Sequence, residues 1–399
     1  LFRLKVKHVC ETKRSVPCRP CDLAFKHRSM LPWRRIVASA ALVAAISWLA
    51  AVIRREWYTV LFLKRLASSL DPAEGESLMK EFVQALPRSE RRKYVILSIP
   101  PKMGTTWVGH ITHQLVAHGK DIDPNRNLLM DSPYPEFSVL LFGKKLHELT
   151  DPVYWKREPF ASYPDGPITI RTHVPYAKLQ PLQVTEEHSF RFVTIFRDPA
   201  DTLVSMWRFL PSLCGIDHNL VPFSSLVRAM SFMRFLDQMF VHYADFWERR
   251  HHPNVLLIFF DDLKKDLPAQ VRRLAGHLKL SPPLSNDELL QVVEQSTHKS
   301  MSSPAVGGRF NELPPTMKAA LFKRMNIIEK DLKVKFGGVV RKGGGNSGEG
   351  EDLAPEPVKQ TISQLWDKYV FPRTNCTSVE DMRFKFQVER DASVRVARA

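Results

Sequence analysis

Lys102 stands two places before Gly104 in the stretch IPPKMGTTW (residues 99–107), and Thr105, Thr106 and Trp107 follow at once. The apolar run YVILS leads into it, so the order is strand, loop, helix. In a nucleoside-triphosphate loop the lysine follows the second glycine and precedes a Ser/Thr that holds magnesium. No GK[ST] occurs here, which weighs against a nucleotide kinase. The segment still has the parts of an anion cradle: Gly104 admits close backbone approach, and the amides of Thr105 and Thr106 open a helix at its positive end. A lysine at the mouth of that cradle can reach the oxygen between a phosphate and a group being transferred, and so suits leaving-group stabilisation. His173 ends a second apolar run, ITIRTH, where a lone histidine reads first as a satisfied structural residue. Arg171 sits two places before it.

Residues with these duties need rigid supports. Four continuous apolar runs, 94–99, 167–173, 190–196 and 254–260, read as short strands covered on both faces. Apolar residues at three- and four-residue spacing predict helices over Ala200–Leu210 and Ser225–Arg250, with Asp198 as cap and Pro199 as first helical residue. The expectation is a single α/β domain, P-loop-like, with a central parallel sheet flanked by helices and ligands at the carboxyl ends of the strands. The set His110, His113 and His118 reads as helix surface.

The chain has 399 residues and a formal charge of +16, unevenly spread: residues 1–55 hold 12 Lys/Arg and 2 Asp/Glu. Residues 1–35 are read as a basic, disordered tail, and no nucleic-acid-binding motif follows it, so nucleic acid is not an expected partner. Residues 36–53 are uncharged between two Arg pairs. Eighteen helical residues rise roughly 27 Å, close to the ~30 Å of hydrocarbon in a bilayer. They are therefore read as a single-pass membrane anchor, with a basic cytoplasmic end, the body in a Golgi-type lumen and Asn375 of NCT as a candidate glycan acceptor; a cytoplasmic body is the alternative. Residue 1 is Leu, and Met30 is a second candidate start. Cys10, Cys18, Cys21, Cys214 and Cys376 are too few for a disulfide framework, and the lone CxxC lacks a second ligand pair, so no metal is expected. The Gly-rich stretch 343–357 can be read as a linker.

The IPPKMGTTW loop resembles the 5′-phosphosulfate loop of the cytosolic-type sulfotransferases, and further segments resemble that family in the same order over residues 75–372. RFVTIFRDPADTLVSMWRF is similar to the element that holds the donor's 3′-phosphate, which implies that role for Arg197 and Ser205. The RKG at Arg341, Lys342 and Gly343 is similar to the family's late phosphate-closing loop. VVEQSTHKSM is similar to the adenine-contacting segment, implying Ser296, Thr297 and His298, with Trp107 as a second adenine-packing aromatic. His173 matches the family's catalytic base, and Arg171 stands where the family usually has lysine. The resemblance implies metal-free, in-line transfer of a sulfuryl group from 3′-phosphoadenosine 5′-phosphosulfate to a hydroxyl or amine. Residues 373–399 would form a C-terminal tail. Phe142, Tyr154, Trp155, Phe160 and Phe209 favour a small apolar or aromatic hydroxyl compound as acceptor. A catalytically weak binding protein is the alternative from another class.

Overall fold

The computed structural model describes residues 31–69, 72–85, 94–120, 134–136, 167–179, 190–303, 315–327 and 347–398. In chain order the elements used below are α1 (Leu31–Ser69), α2 (Pro72–Ala85), β1 (Tyr94–Ser98), α3 (Thr105–Val116), β2 (Ile168–Thr172), β3 (Arg191–Phe196), α4 (Pro199–Leu213), α5 (Phe223–Phe232) and α6 (Phe235–Glu248). They continue with β4 (Val255–Phe259), α7 (Leu267–Leu278), α8 (Asn286–Gln295), α9 (Glu356–Tyr369) and α10 (Val379–Arg398).

The four apolar runs form one parallel sheet in the order β2-β1-β3-β4. Every residue of β1 and β4 is buried, which explains why their sequences do not alternate. Ser98 pairs with Thr172, Leu97 with Val193 and Phe196 with Phe259, so the four carboxyl ends lie along one edge. From β1 the chain crosses to β2 on one side and then to β3 on the other. Such a reversal opens a crevice beyond the strand ends, the usual ligand position in open α/β sheets. Asp198 caps α4 by accepting a hydrogen bond from the Asp201 amide, and Pro199 is its first residue, as its lack of an N–H allows.

Several expectations are corrected. Among the described residues no helix is long and apolar enough to cross a membrane. The stretch 36–53 lies inside α1, which does not end at Ile53 but runs on through Arg54, Arg55 and Glu56 to Ser69. Counted from Ala40, every eighteen-residue stretch of that helix takes in these three charges, each unfavourable in hydrocarbon. The chain divides into two units, residues 1–53 and Arg54–Ala399. The second includes the buried Tyr58 and Phe62 of α1. Residues 225–250 are two helices rather than one: α5 stops at Met233, and Arg234 adopts a left-handed φ of 56° before α6 begins. No glycine or proline announces that break. Residues 373–399 are no mere tail, because α10 buries Met382 and Phe386, and Glu389 receives two hydrogen bonds from the Arg250 guanidinium. His110, His113 and His118 are buried, not on the helix surface, since α3 packs between β2, α7 and α8. His110 meets the Gln295 carbonyl and His118 the Glu288 carboxylate. Cys10, Cys18 and Cys21 lie outside the described residues; Cys214 and Cys376 are buried and are not joined in a disulfide.

The described end of the Gly-rich stretch, residues 347–357, is docked rather than linking. The amides of Gly348 and Gly350 donate to the two oxygens of Asp201, at 3.0 and 2.7 Å, and Arg208 pairs with Glu349 at 2.6 Å. A Cβ on residue 350 would stand 2.4 Å from the backbone of Ala200 and Asp201, so only glycine lets the segment close on α4.

Candidate active site

Between β1 and α3 the backbone turns twice through left-handed conformations, at Lys102 (φ 64°) and Gly104 (φ 120°). A side chain at position 104 would also bring its Cβ to 3.0 Å from Ile195 Cδ1. Gly104 is the N-cap of α3 and makes no side-chain cap bond, so the first-turn amides of Thr105, Thr106 and Trp107 point into the crevice end of the helix without a side-chain acceptor from their cap. The buried hydroxyl of Thr105 has no hydrogen-bond partner among the described residues, and the same holds for Ser296. Two orphaned hydroxyls beside a bare helix N-terminus fit an anionic nucleotide.

Arg197 follows β3 and binds back across the sheet edge, donating from Nη1 to the Lys102 carbonyl at 3.0 Å while its guanidinium lies 4.5 Å from the Phe260 ring centre. Its own carbonyl accepts from the Tyr243 hydroxyl. Ser205 is half-buried on α4, two turns into the helix that Asp198 caps. Trp107 packs edge-on to Phe260 at 5.7 Å and donates from Nε1 to the Ser296 carbonyl at 2.8 Å, which ties α3 to the end of α8. Thr297 is spent locally: its hydroxyl caps the next short helix through the Ser300 amide. His298 is exposed at the start of that helix. The structure therefore brings together Lys102, Gly104, Thr105, Trp107, Arg197 and Ser296. Arg341, Lys342 and Gly343 lie outside the described residues, as do Phe142, Tyr154, Trp155 and Phe160.

The other half of the site hangs on the β1–β2 ladder. The Ile99 amide donates to the Thr172 carbonyl at 3.0 Å, one step past the Ser98–Thr172 pair. This puts His173 beside the start of the Lys102 loop. Its Nδ1 donates to the Ile99 carbonyl at 2.5 Å. A carbonyl can only accept, so the neutral ring carries its proton on Nδ1 and presents a lone pair on Nε2. Burial drives the His173 pKa down to about 3, opposed by the Ile99 bond and aided by the Arg171 and Lys102 charges. Arg171 is buried beneath α3, its Cδ 3.6 Å from where a Cβ on Gly109 would be, and its guanidinium lies 5.5 Å from the Tyr134 ring centre. The Lys102 ammonium lies 4.0 Å from the Phe209 ring centre.

Two residues of this half were not picked out from the sequence. Glu136 accepts from the Thr172 hydroxyl at 2.6 Å and from the His173 amide at 2.8 Å, both at Oε1. Tyr134 donates its hydroxyl to His173 Nε2, with its ring edge-on at 5.1 Å. Neither belongs to a spaced pattern; the only signal is a lone carboxylate in the Pro-rich SPYPEF.

Burial pushes the Glu136 pKa up to about 7, against the lowering effect of its hydrogen bonds. With an ordinary value of 4.5 when unfolded, the folded chain holds this proton between pH 4.5 and 7. The folded state then binds more protons, so this group's stabilisation is full below pH 4.5 and is lost as pH rises through 7. Glu136→Gln removes that dependence. Relative to the wild type, its stability should improve by about 2–3 kcal/mol between pH 4.5 and 8. Urea melts at the two pH values check this, and an unchanged difference would refute the buried acid.

A parallel sheet with a helix N-terminus and a buried histidine at its carboxyl edge has the architecture of an open α/β ligand-binding domain. Residues 92–322 match the sulfotransferase domain, and the chain belongs to that family. It is 26% identical over 249 residues to cytosolic sulfotransferase 14 of Arabidopsis thaliana, covering 59% of this chain and 65% of that protein. It is 24% identical over 234 residues to the luciferin sulfotransferase of Photinus pyralis, covering 57% and 61%. The chain thus spans a little under two thirds of the length of both. Among solved structures, a mouse sulfotransferase complexed with PAP aligns over 73% of this chain and 89% of its own, at 18% identity and a TM-score of 0.46.

Proposed function

We propose that this chain moves a sulfuryl group from 3′-phosphoadenosine 5′-phosphosulfate to a hydroxyl or amine of a small molecule by in-line transfer. His173 is the general base and Lys102 stabilises the leaving phosphate. The observation that carries this reading is the tautomer of His173: the Ile99 carbonyl holds the proton on Nδ1, which leaves Nε2 to accept one beside the Lys102 loop. The donor supplies the sulfuryl group on a phosphate leaving group. Thr105, Thr106 and the α3 amides hold that phosphate. Trp107, Ser296, Thr297 and His298 receive the adenine. Arg197, Ser205 and the Arg341–Lys342–Gly343 loop take the 3′-phosphate. Arg171 adds fixed positive charge near the base without touching the leaving group. The acceptor is a small molecule in this reading, in keeping with the luciferin named for one relative, and the name of the plant relative favours a cytoplasmic setting.

Donor binding is tested at Arg197, since charge-assisted bonds to phosphate are among the strong ones. Arg197→Ala should weaken PAP binding by about 2 kcal/mol or more, roughly 30-fold, measured by calorimetry with the melting curve as a fold check. Unchanged affinity in a folded variant removes Arg197 from the donor site.

A further inference from the structure

Lys102 is held at both ends. Its backbone takes the left-handed conformation at φ 64°, and its carbonyl accepts the bond from Arg197 Nη1 at 3.0 Å. Its ammonium lies 4.0 Å from the centre of the Phe209 ring, within direct cation–π contact. Both side chains are half-buried, which strengthens such a contact over its value in open water. Phe209 stands on α4 one turn beyond Ser205, and the residues just before it are tied down. Trp207 donates from Nε1 to the Val221 carbonyl at 2.7 Å and stacks on Phe223, while Arg208 pairs with Glu349 at 2.6 Å. The ring is therefore mounted on a fixed part of the helix, and the lysine that meets it springs from a fixed backbone.

We propose that Phe209 is a positioning residue for the transfer, its ring face holding the Lys102 ammonium at the mouth of the α3 cradle before the leaving phosphate develops its charge. The inference rests on the assignment of Lys102 as the group that stabilises that phosphate. A lysine has a flexible four-carbon stem, and ordering it costs rotamer entropy. An ammonium already in place needs no reorganisation at the moment of bond breaking. Freed from the ring, it has to be gathered again at each turnover. The effect belongs to the step in which negative charge grows on the leaving oxygen, so it shows in the rate of transfer and not in nucleotide affinity. The duty also differs from that of an aromatic lining an acceptor pocket, because it depends on the charge of the ring face and not on its bulk.

Mono-, di- and trifluorinated phenylalanine placed at position 209 isolate the contact, since each fluorine drains the ring face and adds little bulk. Single-turnover rates with saturating donor and para-nitrophenol should fall stepwise along the series, by about two- to tenfold at the trifluoro stage. PAP affinity should stay within about twofold of the wild type. In Lys102→Met the same series should be flat. A flat series in the wild-type background, where Lys102→Met itself is slow, overturns this proposal alone. So does a series that falls equally in Lys102→Met, which assigns the ring to the acceptor. A rate that rises with fluorination overturns it too, because the ring then restrains the lysine. A second measurement needs no turnover: in proton NMR the ring should displace the Lys102 ε-methylene signal to high field, and Phe209→Leu should return it to its ordinary position. Equal positions in the two proteins overturn the contact itself. Failure of the leaving-group assignment looks different: Lys102→Met then transfers sulfuryl at the wild-type rate, and the inference falls with it even where the NMR displacement is present.

Discussion

Replacing His173 by alanine should lower turnover by about 100- to 10,000-fold while leaving PAP affinity within a few fold of the wild type, because in the proposed reaction His173 acts on the acceptor proton and not on the donor. The accompanying pH profile is equally specific. A base works only when neutral, and kcat/KM reports the ionisations of the free enzyme. Burial holds the free His173 near a pKa of about 3, so acidification from pH 8 to 5 should not protonate it. Glu136, bonded to the His173 amide, changes charge near 7, so the contradicting result is an acid limb centred near 6.5 that persists in Glu136→Gln. Near-normal turnover of His173→Ala with an acceptor the wild type uses would place the base elsewhere.

Such a test was open from the sequence because the residues concerned terminate long apolar runs. Parallel strands buried on both faces need continuous hydrophobic stretches, and the residues directly after them fall at the carboxyl edge where ligands bind. Lys102, His173 and Arg197 could be placed this way, and Asp198–Pro199 marked the start of α4. Contacts between distant segments are another matter. Glu136 reaches the His173 amide across 37 positions, and nothing local in SPYPEF encodes that encounter. The break between α5 and α6 depends on Arg234 entering a left-handed conformation, which composition does not signal. The burial of His110, His113 and His118 follows from what covers α3, a tertiary fact, whereas the absence of metal-ligand partners in the sequence suggests helix surface. The docking of Gly350 onto Asp201 turned a tract with linker composition into a packed one, because small residues permit close approach as well as flexibility.

Lys102→Met tests the other half of the proposed mechanism, the departure of the leaving group. As the sulfur–oxygen bond breaks, negative charge grows on the departing phosphate, and an ammonium placed there contributes most when that charge is greatest. The ground-state donor is also anionic, but α3 amides and Arg197 share its binding in the proposed site. Loss of Lys102 should therefore lower kcat by about 100- to 1,000-fold while weakening PAP by less than about tenfold. Methionine is the informative replacement because it keeps the bulk over Phe209, where the ammonium lies 4.0 Å from the ring centre, and carries the same left-handed backbone demand as any other side chain at φ 64°. Strain is thus held constant and charge alone changes. Single-turnover measurement with saturating donor separates chemistry from product release. A variant that binds PAP like the wild type and transfers sulfuryl at an undiminished rate would show that the ammonium serves Phe209 and the loop, and that the leaving group is stabilised by the helix amides alone.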